Sequence, residues 1–183
     1  MLRAFFALVP PSEMRAALAE LGRDRARRLH GRPVPAENIH LTLAFVGAWP
    51  RARMDALLAA GNALNAEAMR VTLDRQGGFR RSGVAWVAPS SAPATLGMLA
   101  NALAANLRVN GVPYDEKPFH PHLTIARKCR GPFEHGAIGP FVWDIDAVAL
   151  VASDTRAEGA RYTIVATWPL GQRDERSRER ICD

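Results

Sequence analysis

The segment HLTLAFVG at residues 40–47 returns as HLTIARKC at residues 122–129. No other feature limits the fold as tightly. Both copies read as β-strands, in which successive side chains point to opposite faces. In the first copy Ile39, Leu41, Leu43 and Phe45 fall on one face, with His40, Thr42 and Ala44 on the other. In the second, Leu123 and Ile125 oppose His122, Thr124 and Ala126. Each strand therefore gives one face to a core and offers imidazole, hydroxyl and a small residue on the other, as the floor of a pocket requires. HPHLT also contains His120, but only His122 has Thr two residues on and a small residue four on, as His40 does. Helix and strand signals recur at roughly matching places before each copy. The pattern points to an internal duplication, two similar lobes facing each other across a cleft.

The rest of the chain fits that plan. LRAFFALV at 2–9 reads as a strand, broken by Pro10-Pro11. A helix follows, with Ser12 as N-cap and Met14, Leu18 and Leu21 on one face, ending near His30-Gly31. Residues 38–46 read as a strand, 51–68 as a second helix, and 70–74 and 83–88 as strands around the loop QGGFRRSG. Leu96, Leu99, Leu103 and Leu107 mark a third helix at 93–109, stopped by Asn110-Gly111. Strands are expected at 122–127, 145–152 and 161–167. The order suits an α+β fold with mostly antiparallel sheets. Residues 1–171 are expected to form one domain and 172–183 a polar tail.

Composition narrows the partners. The net charge is +6, and all but Lys117 and Lys128 of the 24 basic residues are arginines. Arginine's planar fork suits phosphate, and a basic surface suits a nucleic acid or nucleotide. Enrichment in Ala, Arg, Gly and Pro is equally what GC-rich coding gives. Cys129 and Cys182 have no CxxC spacing, so neither a disulfide framework nor a zinc site is expected. No apolar run approaches a membrane span, and Pro10-Pro11 breaks the N-terminal run too early for a secretory signal; the cytoplasm is the expected location. No long exposed apolar stripe is evident, which favours a monomer.

Two imidazoles facing one cleft supply a base at one end of a reaction and an acid at the other, because histidine's ordinary pKa of about 6.5 allows both near neutrality. Two hydroxyls donate to a tetrahedral anion held between them. No acidic cluster or His/Cys set offers a metal site, so His⁺, hydroxyls, backbone N–H groups and arginine must meet the charge. In-line cleavage or formation of a phosphodiester fits this inventory.

Paired HLTLAFVG and PHLTIAR resemble the two signature motifs of the 2H phosphoesterase superfamily, and more narrowly the RNA 2′,3′-cyclic phosphodiesterases, also called 2′-5′ RNA ligases. LRAFFALVPP, ENIHLTLAFVG, FHPHLTIAR and the closing GARYTIVATWPL fall in that family's order across about residues 2–170. The resemblance implies a bilobal α+β fold with a pseudo-twofold, two antiparallel sheets flanking a central groove and helices outside. It implies hydrolysis of RNA or nucleotide 2′,3′-cyclic phosphates to 2′-phosphates without metal or other cofactor, and a capacity for 2′-5′ ligation. On that analogy His122 is the base, His40 the acid, and Thr42 and Thr124 hold phosphate. Arg127 matches the second motif, yet strict alternation puts it opposite His122, so it reaches the groove only if the strand ends or bulges first. Phe5 is the candidate for stacking a base, with Phe45 and Trp86 behind it. The competing reading is a module that binds RNA or phosphate without turnover; the presence of both histidines and both threonines favours the enzyme.

Overall fold

A computed structural model describes residues 1–156 and 159–171. The chain opens with β1 (Leu2–Leu8), α1 (Ser12–Arg28), β2 (Arg32–Pro33) and β3 (Leu41–Trp49). It continues through α2 (Met54–Asn62), β4 (Met69–Phe79), β5 (Val84–Ala88), α3 (Ala94–Val109) and β6 (Leu123–Arg127). It closes with β7 (Gly136–Ile145), β8 (Ala147–Arg156) and β9 (Gly159–Pro169). The strands form one ladder in the order β7-β4-β5-β6-β3-β1-β8-β9, with β2 beside β6, and every pairing between named strands is antiparallel.

That order is palindromic about its centre. β1 leads through α1 to β3, and β5 leads through α3 to β6. α1 packs on β6 and α3 on β3, so the helix of each unit covers the central strand of the other. The two sheets expected from the sequence are the halves of this ladder, joined between β3 and β6 at one residue pair, Leu41 opposite Leu123. Both leucines are fully buried, as are Leu96, Leu103 and Leu107 along α3. Among the described residues no polar or charged side chain is fully buried, and the histidines and threonines of the two motifs are half-buried. α1 lies so close to β6 that a side chain at Gly22 would run into the Ile125 carbonyl; glycine there sets the helix–sheet distance.

Local departures from the sequence reading have physical reasons. α1 begins at Ser12, but the cap position is Pro11, and the Ser12 hydroxyl makes no capping bond to a described residue. α2 is shorter than expected: it ends at Asn62, whose side-chain oxygen accepts from the Trp168 indole at 2.6 Å, and the chain beyond it crosses to β4. Gly77 and Gly78 of QGGFRRSG lie inside β4, where the rings of Trp86 and Phe133 cover them and leave no room for a Cβ. β7 has no counterpart in the sequence reading. Its Gly139-Pro140 step argues against a central strand, but β7 is an edge strand, where a missing N–H costs little. The expected tail at 172–183, with Cys182, lies outside the described residues.

Candidate active site

The register of the central pair builds the site. With Leu41 opposite Leu123 in an antiparallel pair, Thr42 lies beside His122 and His40 beside Thr124. Because faces alternate, the two leucines turn into the core and all four polar residues stand on the other side. His40 and His122 each occupy the position just before the strand proper.

Each motif then bulges at the same place. Phe6 pairs with Ala44 and Ala7 with Thr42, which leaves Leu43 as an extra residue on β3. Ala85 pairs with Ala126 and Trp86 with Thr124, which leaves Ile125 as an extra residue on β6. A bulge resets the alternation of every later side chain. Ala44 and Ala126, expected beside the threonines, are instead buried at 5% and 0% exposure. Phe45, expected in the core, is 37% exposed and lines the groove with Thr42. Arg127, its equivalent on β6, is exposed and its charge acts on both histidine rings. The bulge that strict alternation demanded for Arg127 is therefore present.

Both imidazoles are oriented alike. Nδ1 of His40 lies 2.8 Å from the Asn38 carbonyl oxygen, and Nδ1 of His122 lies 2.7 Å from that of His120. A carbonyl only accepts, so each Nδ1 carries a proton and each neutral ring presents Nε2 as an acceptor. For His40 that nitrogen receives the Thr42 hydroxyl at 3.1 Å. The His40 ring stacks on Phe5 with centroids 4.7 Å apart and meets Tyr162 edge-on at 5.4 Å. His122 meets Phe79 edge-on at 5.1 Å. Burial is the main force on both titrations. It lowers His40 to about 4, opposed by the bond to Asn38 and reinforced by Arg127 and His122. It also lowers His122, opposed by the His120 carbonyl and reinforced by Arg127 and His120. With no anion between them, both rings are neutral at pH 7.

A groove of about 780 Å³ runs from His122 and Thr42 past Phe45 and Phe79 to α3 and the loop at 114–120. His120 lies on its rim, whereas His30 and His135 are exposed elsewhere. Phe5 is buried at 3% exposure with its face against His40, so Phe45 and Phe79, at 37% and 40%, are the rings left open to a base. Trp86 is half-buried beside Phe79 and His135. The sequence reading does not single out Asn38, Tyr162 or Phe79 as site residues; the one available signal is the shared two-residue offset of Asn38 and His120 before their histidines. A backbone carbonyl carries no residue signature, and Tyr162 meets His40 only through the pairing of β8 with β1 and β9 with β8. Among the described residues no three His, Cys, Asp or Glu side chains converge as metal ligands would.

The 2′-5′ RNA ligase superfamily model matches residues 10–157. The chain belongs to that superfamily, the 2H phosphoesterases. It is 33% identical to the RNA 2′,3′-cyclic phosphodiesterase of Escherichia coli (strain K12) over 93% of this chain and 97% of that protein. It is 34% identical to the RNA 2′,3′-cyclic phosphodiesterase of Thermus thermophilus over 97% of this chain and 94% of that protein. The crystal structure of E. coli LigT complexed with 3′-AMP matches with a TM-score of 0.83 at 32% identity, covering 92% of this chain and 98% of that one.

Proposed function

We infer that this chain hydrolyses RNA 2′,3′-cyclic phosphates to 2′-phosphates. The central pairing of Leu41 with Leu123 carries the reading, because it sets two imidazoles and two hydroxyls on one face. The near full-length similarity to two RNA 2′,3′-cyclic phosphodiesterases supports it. E. coli LigT crystallised with 3′-AMP, ATP and phosphate, which suits a groove for phosphorylated nucleotides.

The cyclic phosphate sits between the two HLT segments. The Thr42 and Thr124 hydroxyls and Arg127 donate to its non-bridging oxygens. Water attacks phosphorus in line and its proton passes to Nε2 of His122. The bond from phosphorus to O3′ breaks, and O3′ takes a proton from Nε2 of His40, leaving a 2′-phosphate. A 5′-hydroxyl in place of water gives a 2′-5′ linkage by the same step. His40 is neutral in the empty groove, so its acid proton arrives with the substrate: an anion between the rings favours the protonated form of each. The reaction needs no metal or other cofactor in this reading. Residues 1–171 act as one bilobal domain, a monomer in the cytoplasm; no described helix is long and apolar enough to cross a membrane.

Replacing either His40 or His122 with Ala is expected to lower turnover by about 10²–10⁴-fold while the chain stays folded. Full turnover in either variant would exclude the paired mechanism. Binding without turnover in the wild-type chain would instead favour the phosphate-binding module.

A further inference from the structure

The two motifs are built alike, yet their histidines sit in unlike surroundings. Each ring is turned by the same bond, from Nδ1 to the carbonyl two residues earlier. The difference comes from strands that the motifs do not contain. β1 lays Phe5 against the face of the His40 ring, with 29° between the planes. β9 sets Tyr162 edge-on to the same ring at 5.4 Å and edge-on to Phe5 at 5.1 Å. The three rings meet pairwise and close His40 in on two sides. Phe5 is buried in a small apolar cluster with Ala7, Ala149 and Val151, separate from the main core, and Tyr162 packs against that cluster. His122 has Phe79 as its one ring contact among the described residues, and Phe79 is itself open to the groove. Where β1 sets Ala7 beside Thr42, β5 sets Trp86 beside Thr124, and the Trp86 ring meets Phe79 and His135.

The charges that act on the His40 ring come from the other lobe: Arg127 on β6 and His122 before it. Arg3, two residues before Phe5 on β1, lies over Phe45 at 5.5 Å. Glu37, beside Asn38, is exposed, and alternation turns Arg161 of β9 away from the face that carries Tyr162. Aromatic carbon around a histidine strips water from its charged form, which needs that water most. Once a bound anion has put a proton on such a ring, the ring gives it up more readily than an open one does. The enclosure also fixes the tilt of the ring, which keeps Nε2 beside the Thr42 hydroxyl. We propose that Tyr162 is a positioning residue: with Phe5 it clamps the His40 ring, breaks the symmetry of the two motifs and makes His40 the proton donor and His122 the acceptor. Tyr162 acts through the His40 ring and not on the substrate. This rests on the phosphodiesterase reading for the two proton transfers.

Three substitutions test the clamp. Tyr162→Thr removes the ring and opens His40 to water. Tyr162→Val does the same and keeps an apolar side chain on the cluster, should the threonine variant not fold. Tyr162→Phe keeps the ring. Proton NMR of the free chain, with the His40 signal assigned by its loss in H40Q, reads the clamp without substrate. The His40 midpoint is expected to rise from about 4 to above about 5 in Tyr162→Thr and Tyr162→Val and to stay near 4 in Tyr162→Phe. Phe79→Leu, at the matching contact on His122, should leave the His40 midpoint in place. In hydrolysis of a cyclic mononucleotide, one limb of the kcat/KM profile should move to higher pH by as much as the midpoint does. At the optimum kcat should fall by about 3- to 10-fold while KM stays within about threefold, and Tyr162→Phe should restore kcat. A His40 midpoint still near 4 without the ring, the same rise in Tyr162→Phe, or a rate loss with an unmoved pH profile would overturn the proposal. The titration needs no turnover, so a wild-type chain that hydrolyses nothing would refute the phosphodiesterase reading and leave this arm intact.

Discussion

Lowering the pH should reveal the energetic cost of the His40 environment. Its pKa is lowered from 6.5 to about 4, chiefly because the ring is buried between Phe5 and Tyr162, with Arg127 and His122 adding to the effect. An unfolded chain binds a proton at this residue below pH 6.5, whereas the folded chain resists it until about pH 4. Stability linked to His40 is therefore complete above pH 6.5 and is lost as the pH falls through the folded value. The full difference is about 3 kcal/mol. Other groups titrate over the same range, so the quantity to measure is the difference between wild type and H40Q. Urea unfolding at about pH 7, 5.5 and 4 should show the wild type losing about 3 kcal/mol more than the variant. Proton NMR of the folded wild type should place the His40 midpoint near 4. Parallel losses in the two proteins, with a His40 midpoint near 6.5, would refute the account of a desolvated ring.

The paired histidines also predict how the rate depends on pH. The profile of kcat/KM, which reports the free site, should be bell-shaped with its alkaline limb beginning below 6.5, because both rings are lowered. The profile of kcat should lie at higher pH, because the bound anion stabilises both protonated forms; coincident profiles would contradict proton uptake on binding. At the back of the site, Gly22→Ala should push α1 off β6 and cost about 1–3 kcal/mol in urea unfolding, because the added methyl meets the Ile125 carbonyl. An unchanged midpoint would show that the helix has room to shift.

The four polar residues were legible because a strand's alternation is local: His40 and Thr42, or His122 and Thr124, share a face whatever surrounds them. The leucine spacing of α3 was legible for the same reason. The bulges were not, because an extra residue exists only relative to a partner strand. Leu43 and Ile125 look like ordinary members of an alternating run until β1 and β5 are laid beside them. The misplacement of Ala44, Ala126 and Phe45 follows from that one omission. Burial of Phe5 against His40 is likewise a cross-strand fact, set by how β1 lies on β3. β7 was hidden because its proline is tolerated only at an edge, and the edge is defined by the whole sheet.

The most direct test of the central claim is the product itself. The purified chain would be incubated with a dinucleotide ending in a 2′,3′-cyclic phosphate, with EDTA present, and the product resolved by phosphorus NMR. The account predicts a 2′-phosphate formed at a rate that EDTA does not change. A 3′-phosphate, or turnover that stops with EDTA and returns with added metal, would contradict it.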